Sequence, residues 1–382
     1  MERILKPSRV LIFYINPNSG HHSAALALQE QFLLKYPHVE TSVLDFMKYI
    51  HPVFAQLLMK TYKGLIKRSP GTWEYLYNNP KVLQTTATIR NLMTRLNLIR
   101  IRKVITDFKP HAVVCTQAIP CGALAYYKRK KNMSFPLIGV GTDFATHSYW
   151  FHEEVNRYVV PSEKEAIRLE SNGLEAHRIR DFGIPIRPKF LQSHDKVLLK
   201  EKYGLHEEIF TILIMGGSQG LGRIDKIVKR ISRIHAAFQL LIVAGTNKSL
   251  LKDLNGYQKK GKYQRYIRVF SHVDYVDELM EIADLIVTKP GGLTCSEAIV
   301  KRCPMILVNP LPGQEKQNAE YLSAEKVAIS IDEQDELIKI LSHILHKPSI
   351  LQEMLLQQQR ILRMDAADRI VDMVMQGDLC NT

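Results

Sequence analysis

The chain has 382 residues, 46% hydrophobic, 24% charged and 8% aromatic, an ordinary globular profile that excludes wholesale disorder. That length predicts two or three domains, no apolar run approaches the ~18 residues of a membrane-spanning helix, and the five cysteines include no C-x-x-C pair, against a disulfide framework or zinc site. The net charge of +14 is uneven: residues 1–187 hold 26 Lys and Arg against 14 Asp and Glu, while 188–382 hold 26 against 24, so the first half is built to meet something anionic.

Met1–Pro7 lack the apolar core of a signal peptide, and with the cysteine usage this predicts a cytosolic chain. Short β-branched runs then alternate with helical periodicity, the pattern of parallel sheets flanked by helices. Arg9–Ile15 reads as a buried strand, Asn16–Gly20 as a polar turn, and an Ala- and Leu-rich helix follows from about His22. Further strands are predicted near Val39–Leu44, His111–Thr116, Leu137–Gly141 and Val155–Pro161. Gly183-Ile184-Pro185-Ile186-Arg187-Pro188 interrupts the pattern with prolines and marks a domain boundary. The same grammar restarts with strands at Phe210–Met215, Gln239–Ala244, Ile267–Phe270, Leu285–Thr288 and Met305–Val308, and 351–375 reads as one long helix. The expected architecture is α/β: two Rossmann-like domains facing a cleft, over 1–187 and 188–355, with a helix in 356–382 returning to the first.

The stretch 45–103 stands apart, with 11 basic residues against two acidic ones. Its periodicity is helical, and Phe54, Tyr62 and Trp73 lie among Lys60, Lys63, Lys67 and Arg68. Residues 53–68 have one apolar and one cationic face, suited to a membrane interface. A core helix with a solvated face has the same pattern, and single-stranded nucleic acid could use the same residues, although no nucleic-acid motif accompanies them.

Four turns carry residues able to do chemistry. Asn18-Ser19-Gly20-His21-His22 links a strand to a helix, and a histidine there can exchange a proton near neutral pH. Gly216-Gly217-Ser218-Gln219-Gly220 lets backbone N–H groups approach a phosphate, but no Gly-Lys-Ser/Thr follows as in a Walker loop. In Thr288-Lys289-Pro290-Gly291-Gly292-Leu293-Thr294-Cys295-Ser296-Glu297, the glycines and Thr294 would face phosphate or sugar. Glu297 could accept from a ribose diol. Pro312-Gly313-Gln314-Glu315-Lys316-Gln317-Asn318 gathers polar side chains that could bond sugar hydroxyls. Either of the last two alone would be a capped helix; at successive strand ends they describe a nucleotide-sugar site.

These motifs, in order and spacing, resemble the donor domain of UDP-sugar-dependent GT-B glycosyltransferases. The peptidoglycan lipid-linked N-acetylglucosaminyltransferase shares GGSQG. The chain as a whole, from about residue 9 to 330, resembles monogalactosyldiacylglycerol synthases and processive diacylglycerol β-glucosyltransferases more closely. The added matches are Gly20-His21, Thr142-Asp143-Phe144 with His147, Trp150-Phe151-His152, and Gly183–Arg187. One departure is Asn18, which stands where these families carry the first glycine of G-x-G-H.

The resemblance implies inverting transfer of a hexose from UDP-glucose or UDP-galactose to diacylglycerol at the cytoplasmic face of the membrane, making glycolipid, and processive addition is open. Glucose is favoured, because no plastid transit peptide is seen. No bound metal or other cofactor is expected, nor any nucleic-acid partner, and an anionic phospholipid surface is the expected support. His21 is the favoured base and Asp143 the second candidate or its partner. Donor contacts are assigned to Gly217, Ser218, Gln219, Arg187, Val273, Gly291, Gly292, Thr294, Glu297, Gln314, Glu315, Lys316 and Gln317. Acceptor or membrane contacts are assigned to Phe54, Lys60, Tyr62, Lys63, Lys67, Arg68, Trp73, His147 and Trp150, with His152 a weaker candidate. The rival readings are transfer to a polyprenyl-linked acceptor, a UDP-N-acetylglucosamine 2-epimerase, and a non-catalytic lipid- or nucleotide-binding protein.

Overall fold

Residues 8–49, 100–217, 220, 223–259, 267–332 and 334–376 are described by a computed structural model. The expected contacts Phe54, Lys60, Tyr62, Lys63, Lys67, Arg68, Trp73, Ser218 and Gln219 lie outside these residues. The described residues fall into two units: one within 1–188, 312–314 and 363–382, the other within 189–311 and 315–362.

The first unit is built on β1 (Arg9–Tyr14), α1 (Gly20–Lys35), β2 (Glu40–Asp45), α2 (100–108), β3 (Ala112–Cys115), α3 (Ala118–Lys131), β4 (Leu137–Val140), β5 (Arg157–Val159), α4 (Glu163–Ser171) and β6 (Ile179–Arg180). Its sheet runs β2-β1-β3-β4-β5-β6 with every pairing parallel. Burial on both faces explains why β1 is apolar throughout rather than alternating. Val10, Ile12 and Tyr14 meet Leu28 and Phe32 of α1, while Leu11, Phe13 and Ile15 meet Ile105 of α2 and Leu124 of α3.

The second unit runs α5 (Lys196–Lys202), β7 (Thr211–Met215), α6 (Ile224–Ile231), β8 (Gln239–Val243), α7 (Lys248–Lys259), β9 (Ile267–Phe270), α8 (Val276–Ile282), β10 (Leu285–Thr288), α9 (Gly292–Val300), β11 (Met305–Val308), α10 (Gln314–Ala324), β12 (Ala328–Ile331), α11 (Gln334–His346) and α12 (Ser349–Ile361). Its parallel order is β12-β11-β10-β7-β8-β9. Each sheet therefore reverses direction once, between β1 and β3 and between β7 and β10. Open α/β sheets bind ligands outside the carboxyl ends of the strands at such a reversal.

The expected long helix at 351–375 is two helices. α12 is tied down by Gln358, whose amide donates to the carbonyls of Cys303 and Val327 in the second unit. Leu362 leaves helical geometry at ψ 128° and ends it. α13 (Ala366–Gln376) then lies on the first unit, where Ile370, Val371 and Val374 enter the core. Lys35 bridges Asp368 and Asp372, both at 2.8 Å. The two short strands β6 and β12 were not anticipated; two residues in one and a serine in the other leave little β-branched signal.

Candidate active site

The turn after β1 is shaped by asparagines. Asn16 and Asn18 hold φ of 64° and 60°, a left-handed conformation that asparagine tolerates better than most residues. Asn18 thus takes this backbone geometry without a glycine. Ser19 caps α1: its Oγ accepts from His22 N at 3.2 Å and donates to the carbonyls of Ile15 and Asn16.

His21 is fixed by the neighbouring strands. Its Nδ1 lies 3.0 Å from the Thr116 carbonyl, just past β3, and 2.7 Å from Thr142 Oγ1, just past β4. A carbonyl can only accept, so Nδ1 carries the hydrogen and Nε2 of the neutral ring carries the lone pair. Thr116 also donates its hydroxyl to the His21 carbonyl at 2.8 Å. Burial lowers the His21 pKa, and the Asp143 charge and the Thr116 bond oppose that shift only in part. The ring is therefore neutral, and able to take a proton, at neutral pH.

His147 closes the same loop. Burial pushes its pKa down to about 3, and His21 adds to the shift, so it is a neutral ring rather than a cation. Two residues that sequence reasoning missed hold this loop. Glu165 on α4 is 4% exposed and accepts from Thr146 N, and Arg168 donates to the Thr146 carbonyl at 2.6 Å and to both Glu165 oxygens at 2.7 Å. Ser162-Glu163-Lys164-Glu165 spells a capping box. Ser162 does cap Glu165 N, yet the Glu165 carboxylate is spent on the loop.

Some assignments are corrected. Trp150 is 5% exposed and packs with Phe13, Leu137 and Tyr158, so it is core rather than acceptor surface. His152 abuts Gly122, where a Cβ would come within 2.7 Å of its Nε2, and its backbone exchanges hydrogen bonds with the Tyr158 hydroxyl, a structural position. Arg187 lies in the first unit and is ion-paired to Glu30 of α1 at 2.6 Å.

In the second unit, β7 ends in Gly216 and Gly217, the latter at φ 70°. Gly220, at φ 58°, sits where any Cβ would clash with the Ala244 carbonyl. Beside it, past β10, Gly291 caps α9, and a Cβ there would meet nothing within 4 Å. Gly291 is therefore not required by the protein's own packing. Gly292 and Thr294 lie in the first turn of α9, and Glu297 is 8% exposed one turn further on. Val273 is half-buried in the turn after β9. Past β11, Gln314 opens α10; Lys316 is exposed and Gln317 half-buried.

Glu315 is already engaged. It pairs with Lys289 at 2.5 Å and accepts from Leu311 N at 2.9 Å, contacts that brace the turn. Asn318, fully buried, donates to the Pro290 carbonyl at 3.0 Å and completes the stitch between the turns after β10 and β11. Lys289, Glu315 and Asn318 thus hold the two turns to each other. Among the described residues no group of three or more His, Cys, Asp or Glu could hold a metal ion, and no helix is long and apolar enough to cross a membrane.

Comparison with known proteins places these halves. Residues 21–186 match the family model for monogalactosyldiacylglycerol synthase, and 211–370 match the glycosyltransferase family 28 C-terminal domain. A processive diacylglycerol β-glucosyltransferase of Bacillus cereus (strain AH187) is 29% identical over 373 residues, 97% of this chain and 94% of that protein. Two solved structures share the fold. MurG of Acinetobacter baumannii has a TM-score of 0.62 at 14% identity, covering 97% of this chain and all of that one. MnaA of S. aureus, solved with UDP, has a TM-score of 0.64 at 14% identity, covering 96% of each. Two six-stranded parallel sheets flanked by helices, shared with these structures, are the GT-B architecture.

Proposed function

From the match of residues 21–186 to monogalactosyldiacylglycerol synthase, of 211–370 to the glycosyltransferase family 28 C-terminal domain, and of 97% of the chain to a processive diacylglycerol β-glucosyltransferase, we propose that this protein moves a hexose from a UDP-sugar to diacylglycerol, inverting the anomeric carbon. The observation that carries the chemistry is His21, whose Nδ1 is held by the Thr116 carbonyl so that Nε2 keeps its lone pair. In the proposed step, Nε2 takes the acceptor hydroxyl proton as the new oxygen–C1 bond forms and the C1–oxygen bond to UDP breaks. A positioned base of this kind contributes typically ~10²–10⁴-fold. Asp143 favours the imidazolium that results.

The departing diphosphate is assigned to backbone N–H groups at the turn after β7 and at the N-terminus of α9, where the helix dipole favours negative charge. Ser218 and Gln219 join this set from sequence alone. Val273 would read the base through its backbone, Glu297 would hold the ribose, and Gln314, Lys316 and Gln317 would meet the sugar. The relative's name gives glucose as the transferred sugar, and UDP-glucose is the donor we adopt. The excess charge of residues 1–187 supports peripheral binding to an anionic leaflet, each basic residue near the surface adding roughly 1 kcal/mol. That binding weakens with salt; salt-insensitive sedimentation with phosphatidylglycerol vesicles counts against it.

The test is a transfer assay. Purified protein receives diacylglycerol in phosphatidylglycerol vesicles with radiolabelled UDP-glucose or UDP-galactose, and the lipid phase is separated by thin-layer chromatography. Label from UDP-glucose alone is expected, and a ladder of spots would show repeated addition. No label in lipid, with UDP still bound by calorimetry, would remove diacylglycerol as the acceptor.

A further inference from the structure

The first sheet has a second functional edge. A cavity of about 680 Å³ opens at the amino ends of β1, β3 and β4, lined by Arg9, Arg102, Lys109, His111 and Lys131 over a floor that includes Phe135. His21, Thr116 and Thr142 lie past the carboxyl ends of the same strands, so six-residue β1 alone sets the two edges about 20 Å apart. The candidate active site does not use this cavity.

Its charge is one-sided. Among the described residues no carboxylate lines it, and Arg9, Arg102, Lys109 and Lys131 form no ion pair. Basic side chains on this unit do find acids where acids are near: Arg129 pairs with Glu154, and Arg187 with Glu30. Arg9 Nε is buried without a hydrogen-bond partner, which costs free energy unless something else accepts from it. The charge of Arg102 reaches the buried Tyr127 hydroxyl on the cavity wall, opposing the upward shift that burial gives it. Lys109 holds a left-handed φ of 48°, an uncommon conformation for lysine that fixes where its side chain starts. Cations gathered around a void, one with a buried donor unmet, describe an anion site with no anion of the protein's own.

We propose that this cavity binds a phosphoryl group, presented either by a soluble phosphate compound or by a phospholipid headgroup. Guanidinium and ammonium groups converging from three elements suit the tetrahedral phosphate oxygens, and the apolar floor suits whatever the phosphate is attached to.

The test uses the full chain with saturating UDP, so that the turn after β7 is occupied. One arm titrates inorganic pyrophosphate by calorimetry; the other floats the protein with phosphatidylcholine vesicles containing phosphatidylglycerol. The variant is Arg102→Gln with Lys109→Asn and Lys131→Gln: all three side chains are exposed, and asparagine suits the left-handed backbone. A control of equal charge change, Lys229→Gln with Lys252→Gln and Lys339→Gln, alters exposed residues of the second unit. One-site pyrophosphate binding that weakens at least about tenfold in the variant alone supports a soluble ligand. Vesicle binding lost in the variant alone supports a headgroup. Binding unchanged in both arms, or lowered equally by the control, overturns the site.

Discussion

The two units use one architecture for opposite ends. At the β1/β3 reversal the chain places side chains: His21, Thr142, Asp143 and His147, braced by Glu165 and Arg168. At the β7/β10 reversal it places backbone: Gly217, Gly220, Gly291 and the first turn of α9, with Lys289, Glu315 and Asn318 holding the turns. Under the proposed function the first edge would move a proton and the second would surround a charge. A titratable edge should fail when one ring is lost, whereas a backbone edge should fail when a single Cβ is added.

The largest effect on stability expected from that contrast is Gly220→Ala. Its added methyl would meet the Ala244 carbonyl from a left-handed residue, and strain of this kind costs on the order of 1–3 kcal/mol or more. Denaturant unfolding should show that loss, with UDP binding falling too. Gly291→Ala separates packing from ligand approach. Nothing of the protein lies near the new methyl, so stability should hold within about 0.5 kcal/mol while UDP affinity drops. Equal UDP affinity in both proteins would take Gly291 out of the donor site.

Next in size is the brace of the first edge. Arg168→Met leaves Glu165 with a charge and the Thr146 carbonyl without its donor. Misplacement of the Thr142–His147 loop should lower kcat by about tenfold or more with little change in UDP affinity, and Arg168→Lys should restore part of it. Loss of UDP binding instead would show general damage.

The smaller effects are in pH. Asp143 raises the His21 pKa, so Asp143→Asn should move the acid limb of kcat/KM to lower pH, a direction opposite to what a lost general base would give. His147 is buried neutral with its pKa near 3, while the unfolded chain protonates it near the ordinary ~6.5. Between those values the unfolded state holds the extra proton, so this group costs stability as pH falls, by at most about 1.4 kcal/mol per pH unit. His147→Asn should flatten the pH dependence of the unfolding midpoint over that window.

Most of the fold was legible because parallel strands buried on both faces write themselves as apolar runs, as at Thr211–Met215 and Met305–Val308. The split of 351–375 was not, because an apolar periodicity says that a face is buried but not against which sheet. In the proposed site, the glycine turns and His21 could be singled out from sequence because each is local to one turn. Glu165, Arg168 and the Lys289–Glu315 pair act across 19 to 26 residues, and only the fold brings them to their turns. Glu315 shows why: in sequence a polar residue in a turn looks alike whether it meets a ligand or its neighbour.

The most direct test of the division between the two edges is His21→Ala, read for transfer and for UDP binding on one preparation. The expected result is label transfer into lipid lowered by ~10²–10⁴-fold, with calorimetric UDP affinity equal to that of the unaltered protein. Transfer near the unaltered rate, or UDP affinity lost together with transfer, would contradict it.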